Sequence, residues 1–515
     1  MTRDRAPVTA KLGPDGEPAP APGGPESGLT RSPGGPDSGL TRSPGGPHGD
    51  RDRFPGDRAD YLADVCRRLW PAPASAVAVG PPGPAGPRLA PAGPRTTTHG
   101  TPTTDATTTT DATTTTTDAT TTADATTTAD ATTTADATTT DATTTADGTA
   151  SEFFVLPGWR RARLLVPAER RAAAAALRRY GEPGSRRALV GTRALSLIMA
   201  SGLGGVTARD RLRILAPAGA PTIEACLKAE LGVEVRVSMH IGAPRANRKP
   251  VLQLLTPAGD TVGFAKIGIS PLTRDLIRAE HDALTRLGAA GLARLAVPRV
   301  LHYGGWQDLT VMILSPLPVW RRRTRLAPGR LALAMREVAG VAGISPEPLA
   351  ASGYWAALGS RLATADDTAD RRAVADALGH IGQRAGDVVL PFGAWHGDWT
   401  PWNMASTRGG LLVWDWERFT LGVPVGFDAL HHWLQAQVIP GRADPGRAAA
   451  DCVERAGPLL APLGAGPGQA RLTALLYLAD LATRHLADRQ AEAGSVLGAP
   501  GRWLVPALAA GVEGI

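Results

Sequence analysis

Residues 396–403 read HGDWTPWN, and after a short gap residues 411–417 read LLVWDWE. The first stretch carries an acid, Asp398, and an amide five positions on, Asn403. The second is an apolar, strand-like run that ends on another acid, Asp415. A further apolar run, 388–390, leads into the first loop. Two neighbouring loops would thus carry three oxygen-bearing side chains. That set suits phosphoryl transfer: one carboxylate accepts the proton of a hydroxyl, while an amide and a second carboxylate offer hard oxygen donors to Mg²⁺. The conjunction decides, because Asp398 alone could cap a helix and Asp415 alone could sit in a turn.

Working upstream, residues 261–267 (TVGFAKI) alternate, so Val262, Phe264 and Lys266 share one face of a strand. A lysine on an otherwise apolar face is costly unless an anion meets it. The chain has only four lysines among its 55 basic residues, namely Lys11, Lys228, Lys249 and Lys266, which gives each more weight. Fourteen residues on lies Glu280, within a helix predicted over 272–287 whose apolar stripe is Leu276, Ile277, Leu284 and Leu287. The bland alternatives are a surface lysine on an edge strand and a solvated glutamate.

HGDWTPWN followed by VWDWE resembles the aminoglycoside phosphotransferase and choline kinase-like family, whose pattern is H-G-D-x-x-x-x-N and then D-W/F-E. The resemblance spans about 232–490. It implies a two-lobed α+β, protein kinase-like fold, with a strand-rich N-lobe and a helical C-lobe. It also implies Asp398 as catalytic base and Asn403 and Asp415 as Mg²⁺ ligands. His396 would orient its loop. Lys266 would contact the phosphates of ATP and pair with Glu280, and adenine would bind at the inter-lobe linker, 311–317. The acceptor would be a hydroxyl of a small molecule. One departure stands out: residues 240–250 (HIGAPRANRKP) hold one glycine and no G-x-G-x-x-G. Phosphate contacts then fall to Gly242, backbone N–H groups and Arg245 or Arg248, unless this is simply a solvated basic loop. Asp428 would cap the start of a helix. His431 and His432 read as core or cleft-wall residues rather than metal ligands, and 477–484 (YLADLATR) as an amphipathic helix closing the C-lobe.

Composition narrows the alternatives. The chain has 515 residues and a formal charge of +7; residues 1–150 carry 12 basic and 18 acidic residues, leaving a body with a net charge of +13. Three widely spaced cysteines, Cys66, Cys226 and Cys452, exclude a disulfide scaffold and fit a reducing compartment. No apolar run suffices to cross a membrane and the first residues lack a signal-peptide pattern, so a cytoplasmic setting is expected, with no membrane partner. A pI near 9.7 and Arg321-Arg322-Arg323 invite a nucleic-acid reading. Arginine dominates the whole composition, however, and no aromatic-basic motif appears, so no nucleic acid is expected. A nucleotide-binding regulatory module without transfer activity, pseudokinase-like, is the other reading; intact Asp398, Asn403 and Asp415 count against it.

The expected organisation is a disordered Gly/Pro repeat over 1–56, with GGP recurring at 23, 34 and 45, then an amphipathic helix over 57–71. A disordered Thr/Ala/Asp-rich linker follows over 72–150. The helix either docks on the body or flickers free. An accessory hairpin and helices over 151–231 precede the N-lobe, 232–317, and the C-lobe, 318–515. Nothing in the sequence sets the oligomeric state.

Overall fold

A computed structural model describes residues 55–79, 148–179, 186–242, 247–319, 322–438, 443–487 and 500–514. Residues 1–54, most of the expected Gly/Pro repeat, and residues 80–147, most of the Thr/Ala/Asp-rich linker, lie outside the described residues. The first lobe opens with α1 (Pro55–Leu69), β1 (Ser75–Val79), β2 (Gly148–Leu156), β3 (Leu164–Pro167), α2 (Arg170–Arg179), α3 (Arg186–Ser201), α4 (Gly204–Thr207), β4 (Arg211–Pro217) and α5 (Ile223–Leu231). It continues with β5 (Arg236–His240), β6 (Val251–Leu255), β7 (Thr261–Gly268), α6 (Pro271–Ala290), β8 (Leu295–Ala296), β9 (Val300–Trp306) and β10 (Leu309–Leu314).

Nine of these strands form one antiparallel sheet in the order β1-β4-β2-β3-β5-β6-β7-β10-β9. The region read as accessory is therefore continuous with the N-lobe sheet. Two expectations are corrected at its edges. Pro55 and Gly56, assigned to the repeat, begin α1, and Ser75–Val79, assigned to the linker, forms the outermost strand. That strand, SAVAV, alternates small residues with small residues, so it shows little of the polar-apolar contrast that reveals a half-buried strand. Both β4 and α5 went unassigned although their signals are present. In β4, arginines alternate with the buried Leu212 and Ile214. In α5, the Thr222 side chain accepts a bond from Ala225 N and Gly232 ends the helix at φ 68°.

The sheet has two distinct faces. Leu62, Val65, Cys66, Leu69 and Trp70 of the first helical segment pack on Val237, Leu252, Leu254, Ala265 and Ile267. Of the two possibilities for this helix, docking is the one observed. On the other face α2 lays a run of buried alanines, Ala172 to Ala176, whose small side chains allow close approach. Further along that second face lies α6, started by a Ser270–Thr273 capping box and ended by Gly291 at φ 65°. Its expected stripe of Leu276, Ile277, Leu284 and Leu287 is buried.

The second lobe is helical around two small sheets. Its elements are α7 (Pro328–Ala339), β11 (Ser345–Pro348), α8 (Gly353–Ala363), α9 (Ala369–Ala385), β12 (Val389–Trp395), β13 (Met404–Thr407), β14 (Gly410–Val413) and β15 (Thr420–Pro424). Then follow α10 (Phe427–Val438), α11 (Pro445–Glu454), α12 (Ala456–Leu460), α13 (Pro467–Ala487) and α14 (Leu504–Val512). The sheets are β11-β12-β15 and β13-β14-β8. The segment read as an amphipathic helix closing the C-lobe, within α13, is instead buried on every side from Leu472 to Thr483, polar Tyr477 and Asp480 included. It is the axis of the lobe. Among the described residues no helix is long and apolar enough to cross a membrane.

Docking of α1 is testable. Leu69 is fully buried, so Leu69→Ala should cost about 2–5 kcal/mol. The expected readout is a lower denaturant midpoint at unchanged slope, followed by tryptophan fluorescence. An unmoved midpoint would contradict the docking.

Candidate active site

The cleft-facing side of β7 presents Lys266, and β7 is an interior strand between β6 and β10 rather than an edge. Its Nζ donates to both carboxylate oxygens of Glu280 at 2.6 Å and to Asp415 Oδ1 at 2.7 Å. Glu280, fully buried on α6, also accepts from Trp416 N at 3.3 Å. Asp415 follows β14 with φ 74°, a region costly for any residue with a Cβ. Burial disfavours the charge on Lys266, but Asp415 and Glu280 outweigh it and raise its pKa above the ordinary lysine range. Burial likewise opposes the charge of Asp415, and Lys266 with Lys249 more than offsets it, holding the carboxyl well below its usual range. Lys266 and Asp415 are therefore both ionised at neutral pH.

A second network forms around the loop after β12. Gly397 takes φ 82°, and a Cβ there would collide with the Arg418 carbonyl, so glycine is required. His396 is fully buried between Trp399 and Trp416. Its Nδ1 accepts from Asp398 N at 3.1 Å, which leaves Nε2–H to donate to Trp414 O at 3.1 Å. This ties the Asp398 loop to the hairpin that delivers Asp415. Asp428 does not cap its own helix, as expected from sequence. It reaches back from α10 to accept the loop's His396 N at 2.8 Å and Gly397 N at 3.2 Å. Arg484 of α13 donates to Gly397 O at 2.8 Å, stacks over Trp395 and pairs with buried Asp480.

Asp398 itself keeps 39% of its side chain exposed. Asn403 Nδ2 donates to its Oδ2 at 2.9 Å and its backbone O at 3.0 Å. His431 Nε2 meets its Oδ1 at 3.1 Å, and His431 Nδ1 meets Tyr477 OH at 3.0 Å. A carboxylate only accepts, so the imidazole donates from Nε2 and accepts the tyrosine proton at Nδ1.

The structure thus gathers Lys266, Glu280 and Asp415 into one cluster and joins Asp398 to Asn403 in another. The two touch through Trp414 N, which donates to Asn403 O at 3.0 Å. Gly242 follows β5 and is half-buried. A Cβ there would meet no atom within 4 Å, so nothing steric reserves the position for glycine. Sequence reading missed Glu417, whose carboxylate groups with those of Glu280 and Asp415, all within 4.8 Å of one another. It also missed Lys249, which pairs with Glu417, and the contacts that His431, Tyr477 and Arg484 make to the Asp398 loop and to one another. Rarity flagged Lys249, but a one-dimensional pattern could not aim it.

The fold is that of a two-lobed, kinase-like protein. Residues 263–463 match the phosphotransferase enzyme family, which bears out the resemblance drawn from HGDWTPWN and VWDWE. The matched span holds Lys266, Glu280, Asp398, Asn403, Asp415 and His431; Gly242, Lys249 and Tyr477 lie outside it. Among solved structures, the choline kinase LicA from Streptococcus pneumoniae is 14% identical with a TM-score of 0.39, covering 57% of this chain and 99% of that one. A thermostable mutant of aminoglycoside phosphotransferase APH(4)-Ia, in its apo form, is 17% identical with a TM-score of 0.38, covering 56% of this chain and 98% of that one. A ternary complex of that enzyme with ADP and hygromycin B is 16% identical, again with a TM-score of 0.38, covering 56% of this chain and 98% of that one. Likenesses this distant do not reach to substrate. Nothing among curated proteins matches the sequence.

The buried groups of the loop set a pH signature. Burial lowers His396 and His432 from 6.5 to about 4. Both enter the fold neutral, so their contribution to stability is lost as the pH falls from about 6.5 to about 4. Burial raises Asp428 from 3.8 to about 7, which has the opposite sign: its contribution is full at low pH and is lost as the pH rises through 7. Asp428→Asn should therefore steepen the loss of Tm between pH 7 and pH 4, and His432→Gln should flatten it. Thermal unfolding across that range checks both; slopes equal to wild type would refute the assignment.

Proposed function

We propose that this chain transfers the γ-phosphoryl group of ATP to a hydroxyl of a small molecule in an Mg²⁺-dependent reaction. The observation that carries the reading is the pairing of two features. A buried lysine is bound by carboxylates from both lobes, and beside it a partly exposed aspartate stands on a glycine-hinged loop. Anionic phosphates need the first, and a hydroxyl acceptor needs the second.

In this scheme Lys266 contacts the phosphates, with Glu280 fixing the ammonium in place, and Gly242 lies along the phosphate loop. The acceptor oxygen bonds to the γ-phosphorus as the bond to the bridging oxygen of the β-phosphate breaks, and ADP leaves with that electron pair. The acceptor's proton passes to Asp398. Bonds to His431 and Asn403 fix the plane of that carboxylate while its exposed edge stays open to an incoming hydroxyl. Such positioning, together with charge neutralisation, supplies most of the acceleration in phosphoryl transfer.

The metal side of the site is consistent with the same reading. Asn403 and Asp415 are the proposed Mg²⁺ ligands, with Glu417 adding a third hard oxygen donor close to Asp415. Bound there, the ion would neutralise charge on the phosphates.

Calorimetric titration with ATP, with and without Mg²⁺, tests the proposal. Binding should require Mg²⁺ and weaken in Asp415→Asn. Asp398→Asn should keep nucleotide binding yet lose transfer to any hydroxyl acceptor by at least about 100-fold. A folded chain that takes no nucleotide would overturn the reading.

A further inference from the structure

We infer that Lys249 is a second phosphate-binding cation of this site, held across the cleft by Glu417 until nucleotide and divalent cation take the places of the two partners. The inference rests on the phosphotransferase reading and concerns a residue outside the family match.

Backbone register puts Lys249 there. Val251 pairs with Lys266, and the ladder continues one step further, with Ile267 N donating to Pro250 O at 3.0 Å. Strand alternation then turns Lys249, two residues before Val251, to the same cleft-facing side as Lys266. Its ammonium donates to Glu417, just beyond Asp415, so a loop of the first lobe is tied to the second. The two side chains are only 9% and 8% exposed.

Charge explains why such a pair should exchange. Three carboxylates, from Glu280, Asp415 and Glu417, converge on the site, and only two ammonium groups, those of Lys266 and Lys249, face them. A divalent cation bound at Asp415 and Glu417 would replace Lys249 as their counter-charge and repel it. Incoming phosphates offer the displaced ammonium a new anion within a rotation of its flexible stem. The loop also needs such a donor. Residues 240–250 contain one glycine, and Pro244 and Pro250 have no N–H to offer, so a glycine-rich backbone cradle is missing. The residue type fits too. In a chain that otherwise uses arginine almost everywhere, this position has a compact, rotatable ammonium rather than a planar fork that would lock on Glu417.

The test uses the full chain and two probes, Mn²⁺ alone by electron paramagnetic resonance and AMP-PNP with Mg²⁺ by calorimetry. Lys249→Met should bind Mn²⁺ alone several-fold tighter, because Glu417 is released, and bind AMP-PNP with Mg²⁺ about tenfold or more weaker, because one charged phosphate contact is lost. Lys249→Arg, whose fork stays on Glu417, should recover only a minor part of the nucleotide affinity. Opposite signs distinguish exchange from loosening, which would weaken both. Loss of both together, or nucleotide binding equal to wild type, overturns the inference. The wild-type chain gives an independent check: an ATP acyl phosphate, which acylates amines beside the phosphates, should label Lys249 as well as Lys266. Labelling of Lys266 alone would also overturn it. Failure of the wild type to bind AMP-PNP with Mg²⁺ would instead remove the phosphotransferase reading beneath it.

Discussion

Two lysines set against three carboxylates, in a cluster buried except at Asp415, is the constraint on which the rest depends. An unpaired charge in such surroundings costs several kcal/mol, so each partner must be delivered accurately. Lys266 comes from an interior strand and Glu280 from a helix capped at both ends. Asp415 is delivered at φ 74°, a strain that the charge cluster opposes. Strand, helix and hairpin belong to different parts of the chain, and their convergence fixes how β7, α6 and β14 sit relative to one another. The hydrophobic cluster joining Ile277, Leu284 and Met312 to Trp399, Leu411 and Trp416 supplies the driving force, but it is not directional. The ion pairs supply the alignment.

The Asp398 loop is held by a different principle. Its backbone polar groups are buried, so they need partners, and the loop is too short to provide them itself. Partners arrive from a distance: Asp428 from α10 takes two N–H groups and Arg484 from α13 takes a carbonyl. His396 is neutral and in a defined tautomer, and it works as a strut between Asp398 N and Trp414 O. Only Asp398 among these groups shows a substantial part of its side chain to solvent. A rigid frame around one accessible carboxylate is what a proton acceptor for an incoming hydroxyl needs.

Much of this was legible in one dimension, for stated reasons. The two-lobe order, α6 and its stripe, and the juxtaposed acids of 398 and 415 follow from periodicity and short-range motifs. Short-range patterns carry no information about long-range partners, and that is where reading stopped. Asp428 looked like a local cap because the nearest N–H groups in sequence belong to its own helix; the groups it satisfies lie about thirty residues upstream. The sequence reads His431 as a core or cleft-wall residue, and it is buried, but no local pattern says that its ring ends on Asp398. In α13 the pattern of YLADLATR looked amphipathic because Tyr477, Asp480 and Arg484 are polar, whereas in the fold each is polar toward a buried partner.

The N-terminal extension fits the same logic. Adjacent residues on a strand face opposite ways, so where Lys249 turns into the cleft, Arg248 turns to the far side of the sheet. There its guanidinium lies 3.5 Å from the ring centroid of Tyr61 on α1. Trp70, at the end of the same segment, donates to Glu224 at 2.8 Å, and Arg68 pairs with Asp308 at 3.1 Å, so α1 is anchored at several points across this face. The far side of the sheet at position 248 is thus held by the docked helix, one residue before Lys249 meets Glu417. On the reading proposed above, the extended sheet and the docked helix would together set the height of that lysine in the cleft.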